Sequence, residues 1–478
     1  MTRVSEHYQL GRDQPSLEFV DVEINGDTPV FIDPRTLRFI DSPWAESCVS
    51  LLQNFFDTVI AIIRSGKDST ARALLSTLGE PNETRLGLSL GRSRGRGMGK
   101  GLANAAWSSL STSRAVSSGL LEDLEDTVLF VDGIGFDIVS DIATNIIRGP
   151  LTTFTQDACA YYDIPLKPGV VSGALWNPTT QLWYQTYEPL PVVNHRRLLL
   201  VPKAIVRRNQ TFNPSEYYTH YILPQLQLDE LRAGSSLVEV LRDGRRRVTK
   251  KSVKAKYGGG KKVNLDTTVN HPSLLDQYRS DKSVKHQPPN HLEVADMTDT
   301  PLPDWDALLS KLRAVHPGPE EASDYHRAVE TLLTTLFYPA LDMPRREFKI
   351  HNGRKRIDIT YVNNATTGFF DWVNRVQQAP APYVFVECKN YGTSLGNPEV
   401  DQLGGRFSPL RGRVGLLCHR GFGGKKKLVA RCRDTALDGR GFIIVLDDQD
   451  IGELVESRKA NPESVSFQLL QRRFEELI

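Results

Sequence analysis

The sequence predicts an α/β protein in which a mixed β-sheet flanked by helices follows an α+β N-terminal region. Beyond residue 318 the patterns follow the order helix, strands, helix, strand, helix, strand, helix, which places helices on both faces of one sheet. Before it, short alternating stretches and a long amphipathic helix indicate mixed α and β structure.

The chain has 478 residues, which is enough for two or three domains. A change in composition marks a boundary between them. From about residue 283 to 304 the sequence turns to proline and polar residues, which is typical of a connection between domains. We therefore predict an N-terminal recognition or regulatory region over 1–285, a linker over 286–317 and a C-terminal domain over 318–478.

The composition is ordinary for a soluble globular protein, with 40% hydrophobic residues, 24% charged residues and a formal net charge of +2. The five cysteines form no C-x-x-C pair, which argues against a structural zinc site and suits a reducing compartment. The N-terminus lacks the apolar stretch of a signal peptide, and polar residues interrupt the apolar stretch 49–63. We expect a cytoplasmic protein without membrane contact.

The N-terminal elements are predicted from periodicity and from residues that begin and end helices. Ser42 is a good N-cap, Pro43 suits the first helical position and Gly66 follows the last apolar position, so a helix is expected between them. We further expect strands over 17–24, 29–32, 127–131 and 197–206, and helices over 138–147 and 217–226.

Residues 87–101 interleave glycines with arginines and a lysine, a composition that is able to cradle phosphates. The segment misses the P-loop pattern twice, because Arg94 stands in place of its first glycine and Gly101 in place of serine or threonine. A mobile surface loop is the simpler interpretation, and a phosphate or nucleic-acid contact is the alternative.

The most informative stretch is 384–389, an apolar strand that ends in Glu387 and Lys389. Side chains alternate along a strand, so these two charged side chains point to the same face. Their burial is costly unless a cation and an anion compensate their charges, as a metal ion and a phosphate would. Asp358, on a neighbouring predicted strand, supplies a second carboxylate. The pattern predicts a metal-dependent nuclease.

The combination of Asp358 with Glu387-Cys388-Lys389, in this order of elements, resembles the PD-(D/E)XK nuclease superfamily on its Mrr-like or Holliday-junction-resolvase-like side. The resemblance implies a restriction-endonuclease-like fold that hydrolyses phosphodiester bonds with Mg²⁺, for which Mn²⁺ is able to substitute. Ile357 stands where a proline gives the superfamily its name. The interval from Asp358 to Glu387 is longer than in minimal members, so the chain between them must loop out.

The resemblance also assigns roles by position. Asp358 and Glu387 would bind the metal together with the backbone carbonyl of Cys388, an oxygen set that suits Mg²⁺. Lys389 would orient the attacking water or stabilise charge on the phosphorane.

Two further catalytic candidates lie on predicted helices. Glu330, at the flank of the apolar face of a helix over 321–338, corresponds to a helix glutamate of resolvase-like members. Gln402 corresponds to a glutamine on the helix after the motif. Solvated surface positions are the simpler interpretation of both, because polar residues are common on exposed helix faces.

Residues 242–262 form a basic segment with ten Lys and Arg residues and a single Asp. Such a segment is either a solvated linker or a contact for a nucleic-acid backbone, which binds through counterion release. We favour the second because a nuclease domain follows. The candidate nucleic-acid-binding residues are Arg245, Arg246, Arg247, Lys250, Lys251 and Lys254.

The leading hypothesis is a Mg²⁺-dependent DNA endonuclease, with prokaryotic restriction or anti-phage defence as a role by analogy. An RNase stays open, as does a nucleic-acid-binding or regulatory protein that uses a nuclease fold without cleavage. The expected partner is DNA. A homodimer and a partner protein bound through the N-terminal region are further options.

Overall fold

The structure is a computed structural model of the chain. It describes residues 2–87, 109–111, 113–209, 211–283, 287–350, 355–421 and 423–478. The interpretations offered for the Gly/Arg-rich segment concern residues that, from 88 to 101, lie outside the described part of the chain.

Helices make up most of the regular structure in the N-terminal region. The helix expected after Ser42 is confirmed, and the Ser42 hydroxyl accepts a hydrogen bond from the Ala45 amide at 3.2 Å. The helices expected over 138–147 and 217–226 are also present, the second with a π-helical turn at Tyr218–Ile222. The helices are α1 (Val4–His7), α2 (Pro43–Arg64), α3 (Asp68–Leu75), α4 (Arg114–Ser118), α5 (Thr127–Phe130), α6 (Phe136–Ile146), α7 (Arg148–Tyr162), α8 (Pro214–Tyr217), α9 (Leu223–Ala233), α10 (Lys250–Tyr257), α11 (Lys261–Asn270) and α12 (Ser273–Ser283).

The described strands of this region are short and pair two by two, always antiparallel. Their partners are β1 with β8, β2 with β5, β3 with β4, β6 with β7 and β9 with β10. They are β1 (Phe31–Ile32), β2 (Lys167–Val171), β3 (Leu175–Asn177), β4 (Leu182–Tyr184), β5 (Tyr187–Leu190), β6 (Val192–Val193), β7 (Arg196–Arg197), β8 (Val206–Arg207), β9 (Glu239–Val240) and β10 (Arg246–Arg247).

Some strands expected in this region are wrong. Residues 17–24 form no strand, because their amides bond to separate segments and not to one partner strand, as Val20 does to the Val201 carbonyl at 2.9 Å. Residues 127–131 contain the helix α5 instead. Residues 198–201 are buried but lie outside any strand, so only the ends of the strand expected over 197–206 are present.

Among the described residues, α2 is the one helix that is long and apolar enough to cross a membrane, with a mean hydropathy of 1.3. Such a helix is weak evidence for a membrane span, because the core helix of a soluble protein passes the same test. Cys48, Leu52, Phe55, Phe56 and Val59 form a buried face that packs into the hydrophobic core. This is the face that the helical spacing of the sequence predicts.

The C-terminal region contains a five-stranded mixed sheet in the order β11-β12-β13-β14-β15. β11, β12 and β13 run antiparallel to one another, and β13, β14 and β15 run parallel. The expected mixed sheet is therefore present. Its strands are β11 (Leu341–Ile350), β12 (Lys355–Asn363), β13 (Tyr383–Lys389), β14 (Val414–His419) and β15 (Phe442–Asp447). The helices from 286 onward are α13 (His291–Thr298), α14 (Trp305–Ala314), α15 (Ala322–Phe337), α16 (Gly368–Asp371), α17 (Asn397–Gly404), α18 (Lys425–Leu437), α19 (Asp448–Ala460) and α20 (Gln468–Glu475).

The sheet is buried because helices pack against it. Val386 in β13 and Leu416 in β14 are both fully buried, as expected for central parallel strands covered on both faces. α20 packs against β15 through Leu469, Leu470 and Phe474, a short amphipathic helix that the sequence interpretation missed.

Two hydrophobic clusters divide the buried side chains of the protein. One contains most buried apolar residues up to Met297 together with Tyr338, Met343 and Val362, and the other contains the remaining ones from Leu309 onward. The segment 286–317, expected to be a linker, carries α13 and α14, and the buried side chains of these two helices belong to different clusters. The segment is folded chain that contributes to both cores.

A buried ion pair joins the two regions. The Arg12 guanidinium donates to both carboxylate oxygens of Glu330, and its distance to Oε1 is 3.0 Å. The Arg12 side chain is 6% exposed and the Glu330 side chain is 0% exposed. The Thr334 hydroxyl adds a hydrogen bond to Glu330 Oε1 at 3.1 Å. Bidentate pairing of this kind fixes both side chains, and removal of one partner leaves a buried charge unmatched.

Replacing Arg12 with alanine is expected to lower the free energy of unfolding by about 3–5 kcal/mol, because Glu330 loses its buried counter-charge. Urea denaturation at neutral pH measures this change. The double variant Arg12→Met/Glu330→Leu should lose much less, since an apolar pair replaces the ionic one. Arg472→Ala, which breaks an exposed pair with Glu453, is the control. An Arg12→Ala protein as stable as the control would contradict this account.

Candidate active site

Asp358 and Glu387 lie at neighbouring positions on adjacent antiparallel strands. Ile359 in β12 pairs with Val386 in β13, which brings the preceding Asp358 beside the following Glu387. The Asp358 carboxylate accepts a hydrogen bond from the Cys388 amide at 2.9 Å through Oδ2. The two carboxylates predicted from the sequence therefore meet at one end of the two strands.

Glu387 is fully buried and its carboxylate is held by three side chains. Lys389 Nζ donates to Oε1 at 2.8 Å, and Gln402 Nε2 donates to the same oxygen at 2.6 Å. Arg406 donates to Oε2. Lys389 also donates to the Gln402 amide oxygen at 3.2 Å, which closes a ring of contacts around the carboxylate.

The pKa of Glu387 is raised, first by burial and then by the nearby Asp358 carboxylate, against the lowering influence of Lys389 and Arg406. Burial acts to lower the pKa of Lys389, but the Glu387 and Asp358 carboxylates outweigh it and the pKa of this lysine is raised. The site therefore keeps a charged ammonium beside two carboxylates that repel each other.

His326 was not predicted from the sequence and lies at the centre of the site. Its Nε2 donates to the Cys388 carbonyl at 3.0 Å and lies 3.8 Å from Asp358 Oδ2. It stands one helical turn before Glu330 on α15, so the two side chains lie on the same side of this helix.

Glu330 is brought to a different place from the one expected. Its carboxylate is fully buried and binds Arg12 and Thr334 in place of solvent, and no hydrogen bond joins it to Asp358, Glu387 or another described acidic group. The solvated flank position expected for it is wrong, because Arg12 from the N-terminal region covers this face of α15.

Cys388 contributes through its backbone. Burial raises the pKa of its thiol well above the ordinary value, and the Cys418 thiol beside it adds to the effect. With an inert thiol, Cys388 contacts the site through its backbone: its amide donates to Asp358 and its carbonyl accepts from His326. Gln402, in contrast, is found in contact with both Glu387 and Lys389, as its expected place after the motif suggested.

The oxygen atoms at the site fit a hard divalent cation. Two carboxylates and one carbonyl meet there, and carbonyl oxygen has a second lone pair besides the one that His326 occupies. No three His, Cys, Asp or Glu side chains among the described residues form a group that would hold a metal by themselves. A cation at this site would take two side chains, the Cys388 carbonyl and water.

A cleft of about 910 Å³ opens beside Asp358, between the N-terminal region and the C-terminal sheet. On the N-terminal side it is lined by α2 and α7, chiefly Trp44, Phe154, Asp157 and Tyr161. On the other side it is lined by α15, β11 and β12, chiefly His326, Arg327, Arg345, Arg346 and Asp358. The candidate site is thus reached along a cleft with walls from both regions.

The basic segment is an ordered part of the fold and so is not a flexible linker. It comprises the hairpin strand β10 and the helix α10. Arg245 pairs with Asp243 at 2.6 Å and Arg247 pairs with Glu239 at 3.0 Å, both on the surface. The other candidates, Arg246, Lys250, Lys251 and Lys254, are exposed and form no ion pair with another described residue.

Residues 9–213 match the sequence model of a family described as a domain of unknown function, DUF8370. The match includes Arg12 and the N-terminal wall of the cleft, and it ends before the basic segment and the mixed sheet. No curated protein and no solved structure matches the chain. The similarity to this family thus covers the region before the mixed sheet and does not include its Asp-Glu-Lys site.

The crowding of carboxylates leads to a stability prediction. The pKa of Glu387 is raised, so the folded state holds this proton more tightly than the unfolded chain and loses stability as the pH rises above about 4.5. Asp358→Asn removes one cause of the shift and keeps an oxygen for the Cys388 amide. In EDTA we expect a thermal midpoint higher by about 2 °C or more at pH 8, and a smaller gain at pH 4.

Asp401→Asn, at a carboxylate that is 63% exposed, serves as the matched control and should leave the midpoint unchanged. A loss of stability in Asp358→Asn of equal size at both pH values would show that the hydrogen bond to the Cys388 amide outweighs the repulsion from Glu387.

Proposed function

We propose that the chain is a Mg²⁺-dependent endonuclease of the PD-(D/E)XK superfamily that hydrolyses phosphodiester bonds in DNA, with Mn²⁺ able to replace Mg²⁺. The observation that carries the proposal is the meeting of Asp358 with Glu387 and Lys389 at one end of two neighbouring strands. Three charged groups in a largely buried site, of which Asp358 lines a cleft, are more than a structural ion pair requires.

The order of the elements supports a restriction-endonuclease-like fold. α15 is followed by the antiparallel strands β11 to β13, then by α17 and by β14, which runs parallel to β13. A mixed central sheet flanked by helices is the architecture that the resemblance implies. The carboxylates lie on β12 and β13, the strands to which the motif assigns them.

In this proposal the metal ligands are the Asp358 and Glu387 carboxylates and the Cys388 carbonyl. Mg²⁺ prefers oxygen ligands and keeps several waters, so three protein ligands suffice. When bound, the ion acidifies a water molecule and neutralises charge on the phosphate. The raised pKa of Glu387, caused by burial and then by Asp358, is consistent with a site whose negative charge awaits a cation.

The other side chains act on these ligands or on the phosphate. Lys389, held as an ammonium by Glu387, orients the attacking water or stabilises the phosphorane. Gln402 fixes Lys389 and Glu387 relative to each other, and Arg406 holds the second oxygen of Glu387. His326 fixes the Cys388 carbonyl.

The alternative is a protein that binds nucleic acid through this fold without cutting it. One observation favours it: Lys389, Gln402 and Arg406 donate to both oxygens of Glu387 and so compete with a metal ion for this carboxylate. The competition is incomplete, because a carboxylate has about four lone-pair positions and three donors leave one for a further ligand. An RNase would use the same residues, and the substrate comparison below separates it from a DNase.

Alanine in place of Asp358 or Lys389 is expected to lower the cleavage rate by about 100-fold or more, because each removes a charge that acts on the metal or the phosphate. Plasmid DNA, linear DNA and RNA, each with Mg²⁺ or Mn²⁺, are the substrates to compare. Lys459→Ala, at a surface lysine, is the control. The proposal fails if the wild type cuts none of them or if the variants cut equally well.

The basic surface is expected to bind the phosphate backbone. Lys251 and Lys254 are exposed on α10, so replacing both with alanine should weaken DNA binding and reduce the slope of log affinity against log salt by about one unit per lysine. Fluorescence anisotropy at several salt concentrations measures the slope. The control is the double variant Lys67→Ala/Arg72→Ala, at two exposed positions far from the basic segment in the sequence. An unchanged slope would leave α10 without a role in binding.

A further inference from the structure

The two walls of the cleft beside Asp358 differ in chemistry. The C-terminal wall carries Arg327 and Arg345, whose side chains are 63% and 54% exposed, and His326 also lines it. Arg327 lies 3.9 Å from Asp324, and Arg345 lies 3.8 Å from Asp157. A phosphate held at Asp358 would lie on this wall. Exposed guanidinium groups along such a wall suit the neighbouring phosphates of the same strand.

The N-terminal wall carries aromatic rings and acids. Trp44 is partly exposed, its indole N–H donates to the Pro150 carbonyl at 2.9 Å, and its ring lies 5.9 Å from that of Phe154. A ring held in this way is a rigid surface on which a base is able to stack. The acids beside it, Asp157 and Asp163, are exposed and line the cleft.

From these two walls we propose that the cleft takes a single-stranded polynucleotide, with its phosphates toward Arg327 and Arg345 and its bases toward Trp44. The proposal rests on the proposed nuclease function and names the substrate class of that site. A single strand has one charged side and one side of bases, which matches one cationic wall and one aromatic wall. DNA and RNA share this chemistry.

A duplex fits the same cleft poorly. It carries a phosphate backbone on each strand, so one backbone at the arginine wall would leave the other near Asp157 and Asp163. Like charges placed together disfavour a wrong partner. Asp157 and Arg345 form an ion pair at 3.8 Å, so a phosphate at Arg345 would compete with Asp157 for the guanidinium group.

The test is fluorescence anisotropy in EDTA with a labelled DNA strand of about 15 nucleotides, the RNA strand of the same sequence and the DNA duplex. The protein carries Lys251→Ala and Lys254→Ala, so that the basic surface does not mask the cleft. We expect the DNA or RNA strand to bind at least about ten-fold more tightly than the duplex. Trp44→Ala should weaken strand binding by on the order of ten-fold, and Trp44→Phe should retain most of it.

Two further variants complete the test. Tyr187→Ala, at a tyrosine that is 73% exposed and outside the cleft, should change nothing. Asp157→Asn should raise the affinity for the duplex more than that for the strand. The inference is overturned if the duplex binds as tightly as the strand, or if Trp44→Ala weakens both to the same degree.

Cleavage in Mg²⁺ separates this inference from the proposed function. Cutting of the duplex in preference to either strand would overturn the single-strand inference and leave the nuclease proposal standing. Tight strand binding without cutting of any substrate would overturn the nuclease proposal and leave the single-strand inference standing. Cutting of only the DNA strand or only the RNA strand identifies the substrate. It supports both the nuclease proposal and the single-strand inference.

Discussion

The candidate site depends on keeping a negative charge on a carboxylate that has no access to water. Glu387 is fully buried, and Lys389, Gln402 and Arg406 replace the water that its oxygens would otherwise bind. Asp358, placed beside it, works against that charge and raises the pKa that burial has already raised. The arrangement is electrostatically costly, which is the pattern expected where function, and not stability, decides the residues.

The position of the N-terminal region follows from a second set of buried polar contacts. Arg12 binds Glu330, and Arg346 lies 4.3 Å from the centre of the Tyr161 ring. Lys203, fully buried, donates to the Pro15 carbonyl and lies 3.9 Å from the centre of the Tyr338 ring. Because such contacts are directional and lose much free energy when one partner is missing, they hold the two walls of the cleft in a defined relation.

Local patterns predicted the parts of this structure that are locally determined. The long helix after Ser42 and the elements that carry Asp358 and Glu387 follow from caps and periodicity. The strand expected over 17–24 failed because an alternating pattern does not reveal which distant segment lies beside it to accept its hydrogen bonds. His326 and the partner of Glu330 escaped prediction for the same reason: each depends on which distant segment covers one face of α15.

The net charge of +2 gives no indication of a polyanionic partner, because it sums 59 Lys and Arg residues against 57 Asp and Glu residues over the whole chain. The distribution of charge is uneven, with exposed lysines on α10, arginines on one wall of the cleft and acids on the other. A basic surface attracts duplexes and single strands alike, because both carry phosphates. Under the proposed function, selection between them would therefore require groups beside the site, and the two opposed walls next to Asp358 would supply a difference that a uniformly basic cleft would not.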